Sequence, residues 1–411
     1  MAQINFTLNQ EEILQLLKDN QGEAFRKMLM ATLNEVMLVE SELQLGAKPY
    51  ERTEERTDSR NGYYDRELTT RMGTITLHVP RHRNEPFKTL LFDNYSTSEV
   101  ALISTMAEMV VNGVATRKVG KVMETLCGRE FSKSTVSEVC KELDKQVQPY
   151  QNKPLTEEYP FVVLDATYFK VREEHKIISK AMYIAFATNA AGQRDILGFR
   201  TYPCETKEYW KDFLDWLKEK GLSGVRVFTS DAHEGIRYAI GRVYPTVPWQ
   251  RCQFHFARDI LDKVPKKYKV GLSGQLTDMF NCKTTKEARK MMNELIGEYS
   301  DIAESAMKCL EGGFENAMTV MVLPEAVRRE CRTSNHIERL NKELKRRSNV
   351  IGIFPNEASL IRLIGAVLME HNMKIQDRVH PVFYKTTYAE LCKCDMVLRK
   401  IAEEQLGMMV A

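Results

Sequence analysis

The chain contains no apolar run approaching the roughly 18 residues needed to cross a bilayer. Its opening, Met1-Ala2-Gln3-Ile4-Asn5, lacks the basic-then-apolar layout of a secretory leader. A cytoplasmic protein with no membrane partner is expected. A disulfide framework is missing too: nine cysteines, an odd number, are scattered at Cys127, Cys140, Cys204, Cys252, Cys282, Cys309, Cys331, Cys392 and Cys394. They are expected to be reduced thiols. A strong charge of either sign is absent, the net charge being +3, so any nucleic-acid partner has to be argued from local basic clusters. Tryptophan is scarce, with only Trp210, Trp216 and Trp249 available to stack a large aromatic surface.

What is present is a globular chain of 411 residues, 43% hydrophobic, long enough for two to three domains. Residues 1–50 form an N-terminal helical region. Asn9 and Glu12 make a capping box, and Phe25, Met28, Leu29, Leu33, Val36, Met37 and Leu43 mark one apolar face. That face needs a partner, and dimerisation is one way to supply it. Residues 51–150 follow as a DNA-binding region: a polar stretch, the alternating strand 74–79, then Pro80 and the basic trio Arg81, His82 and Arg83. Arg81 and Arg83 are candidate phosphate contacts.

Residues 97–146 read as short helices. "ATRKVGKVMETLCG" stops at Gly128, and "FSKSTVSEVCKELDKQV" restarts with Ser132 or Ser134 as cap, with Val136, Val139 and Leu143 on one side. This is the pattern of a helix-turn-helix, in which Lys133, Ser134 and Thr135 would meet phosphates and base edges. An ordinary helical hairpin has the same pattern.

After Pro154, Glu157 and Glu158 the pattern changes, and residues 155–260 read as the first part of an α/β core. Strands are expected at 161–171, 180–188 and 196–202, with a turn at 189–192. A helix capped by Thr206 and stopped by Gly221 follows, then a strand closing on Asp231, a helix over 234–243, and a fifth strand and helix within "VPWQRCQFHFARDILDKV". Three meandering strands followed by alternating helices and strands imply a mixed sheet.

The chemistry rests on acids. Asp165 interrupts an otherwise apolar strand in "FVVLDATYFKVR", and Asp231 ends the fourth strand. If these strands are neighbours, the two carboxylates converge where open α/β sheets bind ligands. Convergence raises a pKa or recruits a divalent metal, and phosphodiester chemistry calls for the metal. A third acid comes from "RTSNHIERLNKELKRRSN". Glu338 shares a helix face with Asn341, Lys342 and Lys345, among Arg332, Arg339, Arg346 and Arg347; Glu343 is the competing choice. Arg339, Lys342, Lys345 and Arg346 are candidate DNA contacts. Each acid also has an ordinary structural reading: Asp231 with Glu234 and Asn335 with Glu338 fit capping boxes, and Asp165 suits a buried ion pair. Cys252 and His255 have half of a zinc-site spacing with no second pair to complete it, so a structural brace beside the site is the expectation. His233 and His336, each two residues from an acid, could touch DNA or be solvated.

In order, "VVLDATYFKVR", "VFTSDAHEGI", "RCQFHFARDIL" and "RTSNHIERLNKELKRR" resemble the Mutator-type bacterial insertion-sequence transposases, as does "GYYDRELTTRMGTITLHVPRHR" upstream. The similarity runs from about residue 50 to 380. It implies a DDE enzyme with a ribonuclease-H-like core, Asp165, Asp231 and Glu338 as catalytic acids holding two Mg²⁺, with Mn²⁺ as a substitute, and Cys252 and His255 as the family's Cys-x-x-His pair. Residues 261–330 match the all-helical insertion of that family. Related hairpin-forming enzymes stack a flipped base on an aromatic there. Here every tryptophan precedes the insertion, which favours a copy-out route through a circular intermediate, with Tyr299, Phe280 or Phe314 left to stack a base.

Residues 331–411 complete the core with its last helix and add a tail, which packs on the core or dimerises. Double-stranded DNA, as terminal inverted repeats and target, is the expected partner, with a homodimer holding two ends. A metal-dependent nuclease or junction resolvase, or a catalytically silent DNA-binding regulator, shares this outline.

Overall fold

The computed structural model describes residues 21–410 apart from 52, 54–55, 71–72, 90–99, 128–130 and 378–379. The capping box at Asn9 and Glu12 and the helix stop at Gly128 lie outside them. Contacts divide the chain into two units, Met1–Glu142 and Leu143–Ala411.

In the first unit, helix α1 (Gln21–Leu45) packs on an antiparallel hairpin of β1 (Arg60–Thr70) and β2 (Gly73–His82). The strand expected at 74–79 is β2, but its partner β1 went unforeseen. Its outer residues are exposed polar side chains and only Leu68 joins the core, so the alternation barely registers. Leu29, Leu33 and Met37 of α1 meet Leu68, Ile75, Leu77 and Val79. The chain's own hairpin thus packs on part of the apolar face of α1. Leu43, assigned to that face, is 71% exposed, and Leu45 is buried in its place.

Helices α2 (Val100–Val111), α3 (Thr116–Cys127) and α4 (Lys133–Lys141) share a core of Met106, Val119, Met123, Phe131, Val136 and Cys140. Ser132 is the cap of α4, accepting from the Thr135 N–H at 3.1 Å. Gly120 is required in α3 because a Cβ there would lie 2.4 Å from the Phe131 carbonyl.

In the second unit, α5 (Asp144–Gln151) precedes a five-stranded sheet of β3 (Phe161–Glu173), β4 (Lys176–Thr188), β5 (Arg194–Tyr202), β6 (Val227–Ser230) and β7 (Trp249–Arg251). The order is β5-β4-β3-β6-β7. The first three strands pair antiparallel, while β6 runs parallel to β3 and β7 parallel to β6. The fold is therefore mixed α/β with a mixed sheet. β3 and β4 extend past their expected ends into a hairpin turned by Glu174 and His175, both at positive φ. Charged residues on that arm hid its strand character.

One face of the sheet is covered by α6 (Lys207–Glu219) and α7 (Glu234–Val243), with Trp210, Phe213, Phe228 and Ile240 in the core. After β7, α8 (Gln253–Leu261), α9 (Lys266–Phe280) and α10 (Thr285–Ala317) build a separate helical core around Phe256, Leu276, Leu295 and Phe314. A short 3₁₀ turn and α11 (Glu325–Cys331) lead to α12 (Asn335–Ser348), α13 (Glu357–Gln376), α14 (Lys385–Cys392) and α15 (Asp395–Val410).

The boundary between units falls before α5, ahead of the expected break near 150. Asp144 of α5 takes both nitrogens of Arg362 on α13, at 2.7 and 2.6 Å, and Val147 packs at Gly365. Helix α13 in turn fixes β5: Asn372 accepts from the Ile196 N–H and donates to Asp195. So this part of the tail packs on the core. Cys204, Cys252, Cys282, Cys309, Cys331, Cys392 and Cys394 are free thiols, and no described helix is long and apolar enough to cross a membrane.

Candidate active site

The parallel register of β3 and β6 sets Val163 beside Thr229. Two residues further along each chain come Asp165 and Asp231. Since side chains alternate, both carboxylates emerge at the same level on the same side. Asp165 Oδ1 accepts from the Ala166 N–H at 2.8 Å. Burial raises its carboxyl to about 7, the charge of Asp231 adds to the rise, and Glu338 contributes a smaller push; Ala166 and His255 pull the other way. The Asp231 capping box does not form. Asp231 Oδ1 accepts from the His233 N–H at 3.2 Å, His233 itself caps α7 through Nδ1, and Glu234 pairs with Lys207.

Helix α12 carries the third acid. Glu338 Oε1 accepts from the Ser334 hydroxyl at 3.0 Å and lies 3.5 Å from His255 Nε2. One turn on, Asn341 Nδ2 donates to Asp165 Oδ2 at 2.8 Å. Glu343, the competing third acid, is instead held at about 2 by Arg346, with Arg347 adding to the effect, and both guanidinium groups bond it at 2.7 Å. It is committed to an ion-pair network that extends through Arg347 to Glu370.

Cys252 closes β7 and His255 lies in the first turn of α8. The thiol meets the Ser334 hydroxyl at 3.2 Å and accepts from its N–H at 3.4 Å. Interaction with the Cys252 sulfur, foremost, raises His255 to about 9 against the effect of burial, and Glu338 and Asp165 add to it. Burial pushes the thiol up, but His255 outweighs it and the net direction is down. Cys252, His255 and Glu338 each offer a ligand atom, and these lie within 4.8 Å of one another. The half-site therefore gains a third donor that sequence spacing did not reveal. Each of the three also contacts a protein partner, with Ser334 joining Cys252 to Glu338.

A hard divalent cation prefers several oxygen ligands. Here the fit rests on Asn341: its Oδ1 is buried with no described hydrogen-bond partner, beside a carboxylate raised by burial and by the charge of Asp231. An orphaned oxygen next to crowded carboxylates suits Mg²⁺ or Mn²⁺.

Residues 1–377 match the model described as Transposase, Mutator family. The chain belongs to that family. It is 41% identical over 374 residues, covering 90% of this chain and 96% of the relative, to the transposase for insertion sequence element IS256 in transposon Tn4001 of Staphylococcus aureus. It is 38% identical over 348 residues to the ISRM5 transposase of Rhizobium meliloti, at 85% and 87% coverage, and 34% identical over 371 residues to the IS1081 transposase of Mycobacterium tuberculosis, at 89% of each chain.

In this Mutator-family protein the expected DNA contacts fall in both units. Lys342, Lys345 and Arg339 are exposed on α12 and make no ion pair among the described residues, whereas Arg346 is engaged by Glu343. Arg347 is buried and structural. Lys133, Ser134 and Thr135 are exposed at the start of α4; Ser134 and Thr135 hydroxyls lie 2.7 and 2.9 Å from that of Ser132. Arg81 lies over the Tyr64 ring, 5.0 Å from its centroid, and Arg83 is exposed.

His336 contacts Arg194 at 2.8 Å and stacks with Phe186, while its side chain stays 36% exposed. Tyr299 and Phe314 are buried in the helical core and cannot stack a base, while Phe280 is partly exposed. Sequence reasoning passed over three residues. Ser334 links the thiol to Glu338. Glu205 lies near Asp231, its carboxyl raised by burial and by that charge against the pull of His233. Phe254 is 45% exposed beside His255. Only Phe254 left a sequence signal, as an aromatic between the two members of Cys-x-x-His.

Proposed function

We propose that this protein is the transposase of an insertion sequence, a DDE enzyme that binds terminal inverted repeats, cuts one strand and transfers its 3′-hydroxyl to a second phosphodiester. The β5-β4-β3-β6-β7 order supports a ribonuclease-H-like core, being a three-stranded antiparallel meander extended by two parallel strands. The observation that carries the chemistry is the convergence of Asp165 and Asp231 through the β3–β6 register, with Asn341 bonded to Asp165 one turn from Glu338.

Asp165, Asp231 and Glu338 would hold two Mg²⁺, with Asn341 Oδ1 as a further donor. When bound, these ions supply the charge that favours deprotonation of the attacking oxygen and stabilises the leaving one. Glu338 is held in place by Ser334 and by His255, which is positively charged at neutral pH; Cys252 and Ser334 brace that pair from behind. Lys342, Lys345, Arg339 and Arg346 would position the DNA backbone, and Lys133, Ser134 and Thr135 would read or anchor the repeat. Water attack first frees the 3′-hydroxyl, which then attacks a second phosphodiester and displaces its 3′ oxygen. A copy-out route and a homodimer on DNA belong to the same proposal.

The test uses labelled terminal-repeat duplex with Mg²⁺, resolved on a denaturing gel, for the wild type, Asp231→Asn and Glu338→Gln. Nicked and joined products from the wild type, lost in both variants while DNA binding persists, are expected. Nicking without joining would instead identify a nuclease or resolvase. Binding without any product, in Mg²⁺ and Mn²⁺ alike, would leave a regulator.

A further inference from the structure

A cavity of about 510 Å³ opens beside the start of α12, on the flank of the acids, lined by Arg194, Arg329, Glu330, Arg332, His336 and Arg339 among others. Its size lies within the range of about 300–1,000 Å³ typical of ligand pockets. The charges lining it are not balanced. Glu330, the single acid, is buried and spent: Arg194 grips it with two bonds of 2.6 Å, and His336 lies 3.5 Å away. Burial would raise its carboxyl, but His336 and Arg194 together hold it at about 2, so it is ionised and fully engaged.

Among the described residues, no acid pairs with the remaining guanidinium groups. Arg329 on α11 and Arg339 on α12 are exposed and make no ion pair among the described residues. Arg332 donates to the Phe280 carbonyl and to Asn281, both neutral, and feels the like charge of Arg329. Three arginines held around one concavity repel one another unless an anion enters. The Glu330 platform keeps this arrangement in place, because Arg194 and His336 tie β5 to α11 and α12. Arg339 directly follows Glu338 on α12, so the same helix carries a cavity ligand and the third acid.

We infer that this cavity is a subsite for a DNA backbone phosphate flanking the one that reacts, with Arg329, Arg332 and Arg339 as its ligands. Planar guanidinium forks match phosphate oxygens in pairs. The subsite rests on the DNA-processing role proposed above and adds a grip on the strand that the exposed lysines of α12 do not provide. Arg329 is the diagnostic residue, since it lies on a different helix from the acids.

The experiment measures binding of terminal-repeat duplex by the full chain, for the wild type, Arg329→Ala and Arg329→Lys, across a salt series. It also scans single methylphosphonate linkages through the nucleotides around the cut. Arg329→Ala is expected to weaken repeat and unrelated DNA alike and to reduce the slope of log affinity against log salt by about 1, with Arg329→Lys restoring most of it. One neutral linkage near the cut should weaken the wild type several-fold and have no effect in Arg329→Ala. An unchanged slope and an identical scan in a variant that folds and binds would overturn the subsite while leaving the enzyme reading intact. Saturable binding of inorganic pyrophosphate that depends on Arg329, without any change in the DNA scan, would overturn it in favour of a free-anion site. Failure of the wild type to bind DNA at all would overturn both.

Discussion

Asn341 joins two parts of the chain 176 residues apart: its Nδ2 donates to Asp165 Oδ2 at 2.8 Å while its Oδ1 stays buried and unpartnered. The amide thus orients one acid and presents an oxygen to the same space. Asn341→Ala is expected to leave DNA binding unchanged and to raise the Mg²⁺ concentration needed for half-maximal cleavage by roughly 10- to 100-fold, as loss of an outer ligand or orienting partner does. An unaltered Mg²⁺ titration would rule out this role.

The Asp165 carboxyl makes the metal-free protein pH-sensitive. Its folded pKa, about 7, lies above the 3.8 of an ordinary aspartate, so the folded state binds the extra proton between these values. Stability therefore falls as pH rises through that window. Asp165→Asn should be close to neutral at pH 4 and stabilising at pH 8, by up to about 2–4 kcal/mol. Thermal unfolding in EDTA checks this, and Mg²⁺ should stabilise the wild type at pH 8 but not the variant.

His255 gives the opposite sign. A histidine raised from 6.5 to about 9 contributes stability that is fully present below 6.5 and lost as pH rises through 9. The same proton keeps a positive charge against Glu338. Cleavage by the wild type should decline above pH 9, and His255→Gln should lower cleavage about tenfold or more at pH 7.5 with unchanged DNA affinity. A variant whose pH profile matched the wild type would show that the imidazolium does not matter.

Packing of α13 on β5 leaves no room at Gly365, where a Cβ would meet Val147 Cγ1 at 2.4 Å and Phe199 at 3.0 Å. Gly365→Ala should cost about 1–3 kcal/mol, as overpacking typically does. The readout is a lower urea midpoint with an unchanged slope.

The strands and helices around the acids were legible because their signals are local. Apolar runs bounded by turn residues marked β3 to β7, and Thr206 marked the start of α6 where its hydroxyl caps the helix. The acid in "FVVLDATYFKVR" stood out because a buried strand rarely tolerates an unpaired carboxylate. β1 escaped because one exposed face leaves almost no hydrophobic period, and the spacing that put Leu43 on the apolar face of α1 is met instead by Leu45.

What the sequence settled by itself was therefore the mixed α/β class, the family, and the residue types available for chemistry. Neighbourhood was left to the tertiary structure. Only the β3–β6 register placed Asp165 level with Asp231, only the return of α12 brought Asn341 to Asp165, and only side-chain pairing assigned Glu343 to Arg346 and Arg347 while Glu338 stayed at the site. The physical reason is that propensity and periodicity act over a few residues, whereas electrostatic partners are chosen by which distant elements share buried space.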